Sequence, residues 1–419
     1  MAIIAYYPRM KKAVQRYDVC IIGGAGHVGL PLGVTMALGG LEVVLLDTNT
    51  KAIATIKKGI FPFKEEGGDA ALRKALKKKT LTVTSGPASV IRKSDTVVLV
   101  IGTPVDEYLN PQFKALDKAI EQYLPHFRDG QTLILRSTIF PGTTERLQRY
   151  FNKKKLKVSV AFCPERVVEG KAIREIQTMP QIISAMNPDT LPKVKEIFGR
   201  ASKGGTVAVE PLEAELAKLY CNAWRYITFA VANQFYMMAT DRGADYRRVY
   251  HAMTEKYDRM KVPRPGFAAG PCLFKDTMQL AAFNQNRFFL GHSAMLVNEG
   301  LPRFVIEHIK HRLCNNNLHE MTIGILGMTF KAESDDVRDS LSFKIRKMAE
   351  LEAKAVYSHD YYWSDHTTTR LDALLRKSDI IIVATPHARY AQIPKAKFKN
   401  KIIVDIWNHL PHTKDAFEI

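Results

Sequence analysis

Apolar positions along this chain fall into short runs broken by glycine turns, and these alternate with longer stretches of helical spacing. The first run, Val19–Ile22 in "YDVCII", passes through glycines into a helix-compatible segment and returns as "EVVLLD" at 42–47, the pattern of one βαβ unit. Further strands are predicted at "DTVVLVIGTP" (95–104), "QTLILRST" (131–138) and "KVSVAFCPE" (157–165), each an apolar run ending in small polar residues or a carboxylate. Between 210 and 243 the pattern becomes one long helix without internal proline or glycine. A second βα repeat opens at "TIGILGMTF" (322–330) and continues with strands at "DIIIVATP" (379–386) and "KIIVDIW" (401–407). The predicted fold class is α/β, with two Rossmann-like doubly wound domains joined by a long central helix. The expected boundaries are a basic extension at 1–16, a first Rossmann domain at 17–205, a central helical region at 206–310 and a second Rossmann-like domain at 311–419.

The first βαβ unit carries chemistry. Gly24, Gly26 and Gly29 form G-x-G-x-x-G, and Asp47 closes the second strand 18 residues after the last glycine. Such glycines permit a tight turn, the approach of a pyrophosphate to helix N–H groups, and close helix–strand packing. A carboxylate at position 47 can accept hydrogen bonds from ribose hydroxyls and repels a 2′-phosphate, so NAD is expected over NADP. In a doubly wound sheet the carboxyl ends of the strands face the ligand crevice, which places Thr103, Thr138 and Glu165 along the site. The second repeat lacks the glycine pattern and is expected to hold a mononucleotide or a nucleotide-linked substrate.

Composition narrows the classes. With 419 residues and 46% hydrophobic content the chain is long enough for two or three domains with full cores. Its five cysteines have no paired spacing, so neither a disulfide framework nor a metal site is expected, and a reducing cytoplasm fits. The N-terminal segment reads as no signal peptide, and no apolar run is long enough to predict a membrane span. The net charge is +19, with lysine clusters at "KALKKK" (74–79) and "NKKKLK" (152–157). They lack interleaved aromatic residues, so they read as solvated surface and no nucleic-acid partner is expected.

One cysteine stands apart. Cys272 lies in "RPGFAAGPCLFKD" (264–276), after small residues that let backbone and ligand approach closely and before Lys275 and Asp276. A charge and a proton acceptor beside a thiol suit a thiolate nucleophile better than a packing residue. On the long helix Lys218 and Asn222 are four residues apart and share a face, where both can reach one reacting oxygen. Pairing of Lys218 with Glu215 or Glu213 on the surface is the other reading of the same spacing. Tyr257 and Lys261 have the Tyr-x-x-x-Lys spacing of short-chain dehydrogenases, but lie far too late after the glycine loop for that family.

Seven motifs in order, "GGAGHVGLPLG", "IGTPVDE", "RSTIFPGTTE", "CPERVVEG", "ELAKLYCNA", "GFAAGPCLFKDT" and "GMTFKAESDDVRDS", resemble the UDP-glucose/GDP-mannose dehydrogenase family over about residues 17–408. The resemblance implies oxidation of the C6 hydroxymethyl of a UDP-sugar to a carboxylate with two NAD per turnover. It makes 17–205 the NAD-binding domain, 206–310 the dimerisation region and 311–419 the UDP-sugar-binding domain of a homodimer or higher oligomer. Carried over residue by residue, Cys272 is the nucleophile, Glu165 the base for the hydrolytic water, and Thr138 a residue holding that water. Lys218 stabilises charge on the C6 oxygen, while Asn222 and Asp276 position water and assist proton transfer. Gly24, Gly26, His27, Val28, Gly29, Asp47, Thr103, Pro104, Thr138, Lys275 and Arg338 fall to the cofactor. Arg166, Glu169, Arg259, Phe267, Gly270, Phe330 and Lys331 join Glu165, Lys218 and Asn222 around the substrate.

Departures from the family pattern bear on the sugar. The cysteine loop carries "GFAAGPC" in place of "GFGGSC", the "YDRMKVPRPGF" segment is shortened, and "VDIWN" replaces the frequent "DGR". "PER" at 164–166 is common in the N-acetylhexosamine branch, whereas "EG" at 169–170 is common in the glucose branch. The balance leans slightly to UDP-glucose, with UDP-N-acetylglucosamine or UDP-N-acetylmannosamine as the alternative. A nucleotide-sugar-binding homologue without catalysis is the alternative of another class; it must explain why Cys272, Lys218, Asn222, Glu165 and Asp276 are all present.

Overall fold

The computed structural model describes residues 16–102, 113–313, 317–410 and 417–418. The expected basic extension, apart from Arg16, and the expected cofactor residues Thr103 and Pro104 lie outside the described residues. Two compact units emerge: residues up to 102, 114–137 and 142–214 form one, and residue 113, 138–141 and 215 onward form the other.

The first unit is built on β1 (Tyr17–Ile22), α1 (Gly29–Leu38), β2 (Val43–Leu46), α2 (Thr50–Lys57), α3 (Gly68–Lys77), β3 (Leu81–Thr84), β4 (Ser94–Leu99), α4 (Phe113–Tyr123), β5 (Thr132–Leu135), α5 (Thr143–Lys153), β6 (Ser159–Phe162), α6 (Ala172–Thr178), β7 (Gln181–Ala185), α7 (Leu191–Ala201) and β8 (Thr206–Ala208). The sheet order is β3-β2-β1-β4-β5-β6-β7-β8. It is parallel through β6, after which β7 runs antiparallel to β6 and β8 parallel to β7. Near-continuous apolar runs suit a parallel sheet covered on both faces, and β2, β5 and most of β1 are accordingly buried at every position. Chain order reverses between β1 and β4, which opens a crevice at their carboxyl ends. The strands end at Leu99, Leu135 and Phe162, before the ends of the predicted segments, so the described parts of the tails read as strand in the sequence lie outside the strands.

The second unit begins on α8 (Pro211–Asp241), followed by α9 (Tyr246–Thr254), α10 (Leu273–Phe283), α11 (Phe289–Arg312), β9 (Thr322–Leu326), α12 (Leu341–Glu352), β10 (Ala355–His359), α13 (Leu371–Lys377), β11 (Ile380–Val383), β12 (Ile402–Val404) and β13 (Phe417–Glu418). Its parallel sheet has the order β10-β9-β11-β12-β13. The helices read as a separate central region share one core with this sheet: Tyr236, Tyr246, Leu301, Val305 and Ile309 pack in the same cluster as Ile323, Ile325, Ile380 and Ile382. Along α8 the buried face carries Lys218, Leu219, Asn222, Ala223, Tyr226, Ala230, Asn233 and Tyr236, at three- and four-residue spacing. With Glu215, also buried, the long helix therefore presents four charged or amide side chains inward, a costly arrangement unless each has work to do.

Candidate active site

In the first unit, β1 delivers the chain into the glycine turn. Gly23 has φ +78°, and a Cβ there would lie 1.9 Å from the Val100 carbonyl oxygen. A Cβ on Gly29 would lie 2.3 Å from the Gly23 oxygen, and one on Gly24 2.7 Å from the Leu45 Cβ, so internal packing demands all three glycines. Gly26 differs, since its nearest neighbour would be 3.7 Å away and the residue is exposed. Its missing side chain leaves a cradle that packing does not need and that a pyrophosphate fits. Asp47 is tied to this turn: Oδ2 accepts from the Ala25 N–H at 2.9 Å and Oδ1 from the Asn49 N–H at 2.9 Å. Each oxygen keeps a further acceptor position for a ribose hydroxyl. Val28 is the N-cap of α1. His27 stacks on Phe63 with ring centroids 4.0 Å apart, and Phe61 meets Phe63 edge-on at 5.4 Å. This apolar wall beside the glycine turn was not anticipated from the sequence; the "FPF" of 61–63 was its only signal.

Glu165 follows β6 and is buried against Arg136, which follows β5 and is fully buried. The guanidinium donates to Glu165 Oε2 from Nε at 3.1 Å and Nη2 at 2.5 Å, to the Cys163 and Pro164 carbonyls at 2.9 and 3.0 Å, and to Gln181 Oε1 at 2.9 Å. Glu165 Oε1 accepts from the Arg166 and Val167 N–H groups at 2.8 and 3.1 Å. An ionised carboxylate offers about four acceptor positions, and here all are taken. In this structure Glu165 anchors the "CPERVV" turn. Arg166 donates to the Pro180 carbonyl, and Glu169 is half-buried before Gly170, whose φ is +85°. Burial pushes the Cys163 and Cys20 thiols up to about 12, which removes both as nucleophiles.

In the second unit Cys272 is exposed and is the N-cap of α10, where the helix N-terminus favours a thiolate. One turn on, Asp276 is fully buried and its N–H bonds the Cys272 carbonyl at 2.9 Å. Asp276 Oδ2 accepts from Asn222 Nδ2 at 2.6 Å and Thr138 Oγ1 at 3.3 Å. Its Oδ1 is buried 2.7 Å from the Lys275 ammonium, an ion pair without hydrogen-bond geometry, and has no hydrogen-bond partner among the described residues. Thus Thr138, Asn222, Lys275 and Asp276 are brought together one turn from Cys272. Lys218 is buried one turn before Asn222, and among the described residues its ammonium makes no ion pair, so the surface pairing with Glu213 or Glu215 is not formed.

Other expected substrate residues divide. Gly270, at φ +100°, lies against Phe330, whose ring would be 2.4 Å from a Cβ there, so these two meet. Lys331 sits over the Phe330 ring at 5.7 Å. The Phe267 ring is buried in the core of the second unit. Arg259 is exposed and stacks on Tyr257 at 5.0 Å. Arg338, expected on the cofactor, donates from Nε and Nη2 to Asp336 at 2.9 and 2.5 Å. A feature missed in the sequence holds the Phe330 loop: buried Asp360 Oδ2 accepts from the Met328 and Thr329 N–H groups at 2.6 and 3.1 Å and lies 3.0 Å from His387 Nε2. His387 Nδ1 accepts from the Glu333 N–H at 3.0 Å. Both residues follow strands of the second sheet, as Arg136 and Glu165 do in the first. Among the described residues no metal-binding cluster is present, and no helix is long and apolar enough to cross a membrane.

An open glycine turn with an acid tied to it, and an exposed helix-capping thiol one turn before a buried carboxylate, fit a nicotinamide-dependent dehydrogenase. The chain matches the UDP-glucose/GDP-mannose dehydrogenase family in its NAD-binding domain over residues 17–202, its central domain over 212–299 and its UDP-binding domain over 324–412, and belongs to that family. It is an NAD-dependent nucleotide-sugar dehydrogenase. A UDP-N-acetyl-D-mannosamine dehydrogenase of Methanococcus maripaludis strain S2 is 29% identical over 416 residues, 95% of each chain. The solved UDP-D-ManNAc dehydrogenase of Pyrococcus horikoshii superposes with a TM-score of 0.88 at 26% identity, over 96% of this chain and 98% of that one. A UDP-glucose dehydrogenase from Pyrobaculum islandicum shares the fold, with a TM-score of 0.84 at 23% identity over 99% and 98% of the two chains.

Proposed function

We propose that this enzyme oxidises the C6 hydroxymethyl of a UDP-N-acetylhexosamine, UDP-N-acetylmannosamine in the first place, to the UDP-uronic acid. The lean to UDP-glucose gives way for two reasons. Similar proteins are named for UDP-N-acetyl-D-mannosamine, and the "EG" that favoured glucose has a local cause, because Gly170 occupies a left-handed turn conformation that favours glycine.

Bound NAD supplies the hydride acceptor for each of two oxidations, and the residues fit it through the Gly26 cradle and Asp47. The remaining chemistry belongs to the chain. Lys218, buried without an ion-pair partner among the described residues, stabilises negative charge developing on the C6 oxygen. At the aldehyde stage the Cys272 thiolate adds to C6, giving a thiohemiacetal that loses a hydride and its hydroxyl proton to become a thioester. Water then cleaves the C–S bond, returning the thiol and leaving the carboxylate. The balance is one alcohol, two NAD+ and one water to one carboxylate, two NADH and three protons. Asp276, whose buried Oδ1 has no hydrogen-bond partner among the described residues and whose Oδ2 is held by Asn222 and Thr138, takes the proton from that water. The observation that carries this reading is the exposed Cys272 capping α10 one turn before that carboxylate.

A homodimer is supported by α8, whose outward face exposes Tyr220, Trp224, Val231, Phe235 and Met238 as a continuous apolar stripe. The test is a screen of UDP-N-acetylmannosamine, UDP-N-acetylglucosamine, UDP-glucose, UDP-galactose and GDP-mannose for NADH and uronic acid. The highest kcat/KM is expected with UDP-N-acetylmannosamine, at two NADH per sugar. A higher value with UDP-glucose overturns the sugar assignment, and full uronate formation by Cys272→Ala overturns the thioester route.

A further inference from the structure

We infer that Asn233, with Asn298 behind it, is a positioning clamp that fixes the Cys272 loop for the second oxidation. The inference rests on the reading of Cys272 as the nucleophile. Asn233 is fully buried on α8, three turns beyond Asn222 and on the same face. Its side-chain amide satisfies both backbone groups of Gly266: the Gly266 N–H donates to Asn233 Oδ1 at 2.8 Å, and Asn233 Nδ2 donates to the Gly266 carbonyl at 3.1 Å. The second Nδ2 proton goes to Asn298 Oδ1 at 2.8 Å, and Asn298 Nδ2 donates to the Tyr226 carbonyl at 3.0 Å, returning the chain of bonds to α8. Only a carboxamide does this. An aspartate lacks the donor and sets a charge against two acceptor oxygens, and an alanine leaves both groups of Gly266 without their buried partner.

The consequence lies in the loop between the two asparagines' partners. Gly266 is gripped by Asn233 at one end, Asp276 by Asn222 at the other, and Cys272 stands between them. Trp407 packs close to Gly266, where an added Cβ would lie 2.3 Å from its ring, and Arg264 donates to the Trp407 and Asn408 carbonyls at 3.3 and 3.0 Å. One rigid helix therefore sets both ends of the segment that aims the thiol. Covalent addition to C6 tolerates little misplacement, since an error of about 1 Å in a reacting group costs on the order of a hundredfold in rate. The first oxidation does not use the thiol and escapes this cost.

Rapid mixing of the full-length Asn233→Ala and Asn298→Ala variants with UDP-sugar and NAD separates the two NADH equivalents per active site. For Asn233→Ala the first equivalent is expected at a rate within about threefold of wild type and the second slowed about a hundredfold, with KM for NAD unchanged. Asn298→Ala, which keeps the Gly266 contacts and loses their backing, is expected to slow the second equivalent about tenfold and covers the case in which Asn233→Ala does not fold. Iodoacetamide labelling, followed by peptide mass, should show a changed rate at Cys272. Equal slowing of both equivalents, or no selective slowing in either folded variant, overturns the clamp. Cys272→Ala run alongside separates the two failures: if it still releases two equivalents, the reading of Cys272 is wrong; if it releases one while the asparagine variants match wild type, only the clamp is wrong.

Discussion

Replacing Arg136 by methionine removes a guanidinium from a site with no solvent access and tests how the first unit holds its crevice. Five hydrogen bonds disappear, and Glu165 keeps only the two backbone N–H groups on Oε1 while Oε2 is left buried without a donor. The Cys163 and Pro164 carbonyls and Gln181 Oε1 lose their donor as well. Breaking a buried ion pair from one side costs about 3–5 kcal/mol, chiefly through the charge left behind. In a unit of roughly 200 residues each kcal/mol moves Tm by about 2–4 °C, so the transition of that unit should fall by about 6–20 °C. Differential scanning calorimetry with and without NAD assigns the transition, because the cofactor stabilises the unit that binds it. A double variant, Arg136→Met with Glu165→Leu, removes the orphaned charge and should recover part of the loss, giving a coupling of about 2 kcal/mol or more. A Tm within 2 °C of wild type for Arg136→Met, or simple additivity in the double variant, refutes the view that this pair anchors the turn.

Three further outcomes follow from the structure. Asp47→Asn should raise kcat/KM for NADP about tenfold or more relative to NAD, since a like charge beside the 2′-phosphate is removed; an unchanged ratio removes Asp47 from the ribose site. Lys218→Ala should lower kcat about 10²–10³-fold with little change in KM, and the reverse pattern makes Lys218 a binding residue. Burial by itself raises the Asp360 carboxyl, but the hydrogen bond from His387 and the N–H groups of Met328 and Tyr362 more than offset it, leaving the group below its usual value of 3.8. A carboxyl depressed in the folded state contributes stability above the unfolded pKa and loses it as pH falls through the folded one. The second unit should therefore lose stability below about pH 4, and Asp360→Asn should be destabilised at neutral pH with a flatter acid limb; an unaltered acid limb in thermal scans contradicts this.

Much of the molecule was legible before folding. Apolar runs of strand length, a glycine turn and an acid at the end of the next strand can serve only one local arrangement, because each is a constraint on neighbouring backbone. The long helix and the Cys272 loop were legible for the same reason, as was the i, i+4 face of Lys218 and Asn222. Short strands such as β3, β8 and β10 were not, since their few apolar positions do not stand out against polar neighbours.

What the tertiary structure alone decided is how polar groups are partnered. From its place after a strand Glu165 could be read only as lining the site; that Arg136, 29 residues earlier, fills its acceptor positions appears only in the fold. Asp276 is held differently: Asn222 and Thr138 bond one oxygen, while the other is buried beside Lys275 with no hydrogen-bond partner among the described residues. Asn233 read as one more polar residue on a helix, yet it meets Gly266 and Asn298, 33 and 65 residues away. Local sequence fixes periodicity, turns and caps through interactions a few residues long. A buried donor or acceptor is satisfied by whatever the fold brings to it, and that partner is set by packing between distant elements, so its role becomes readable only when the chain is closed around it.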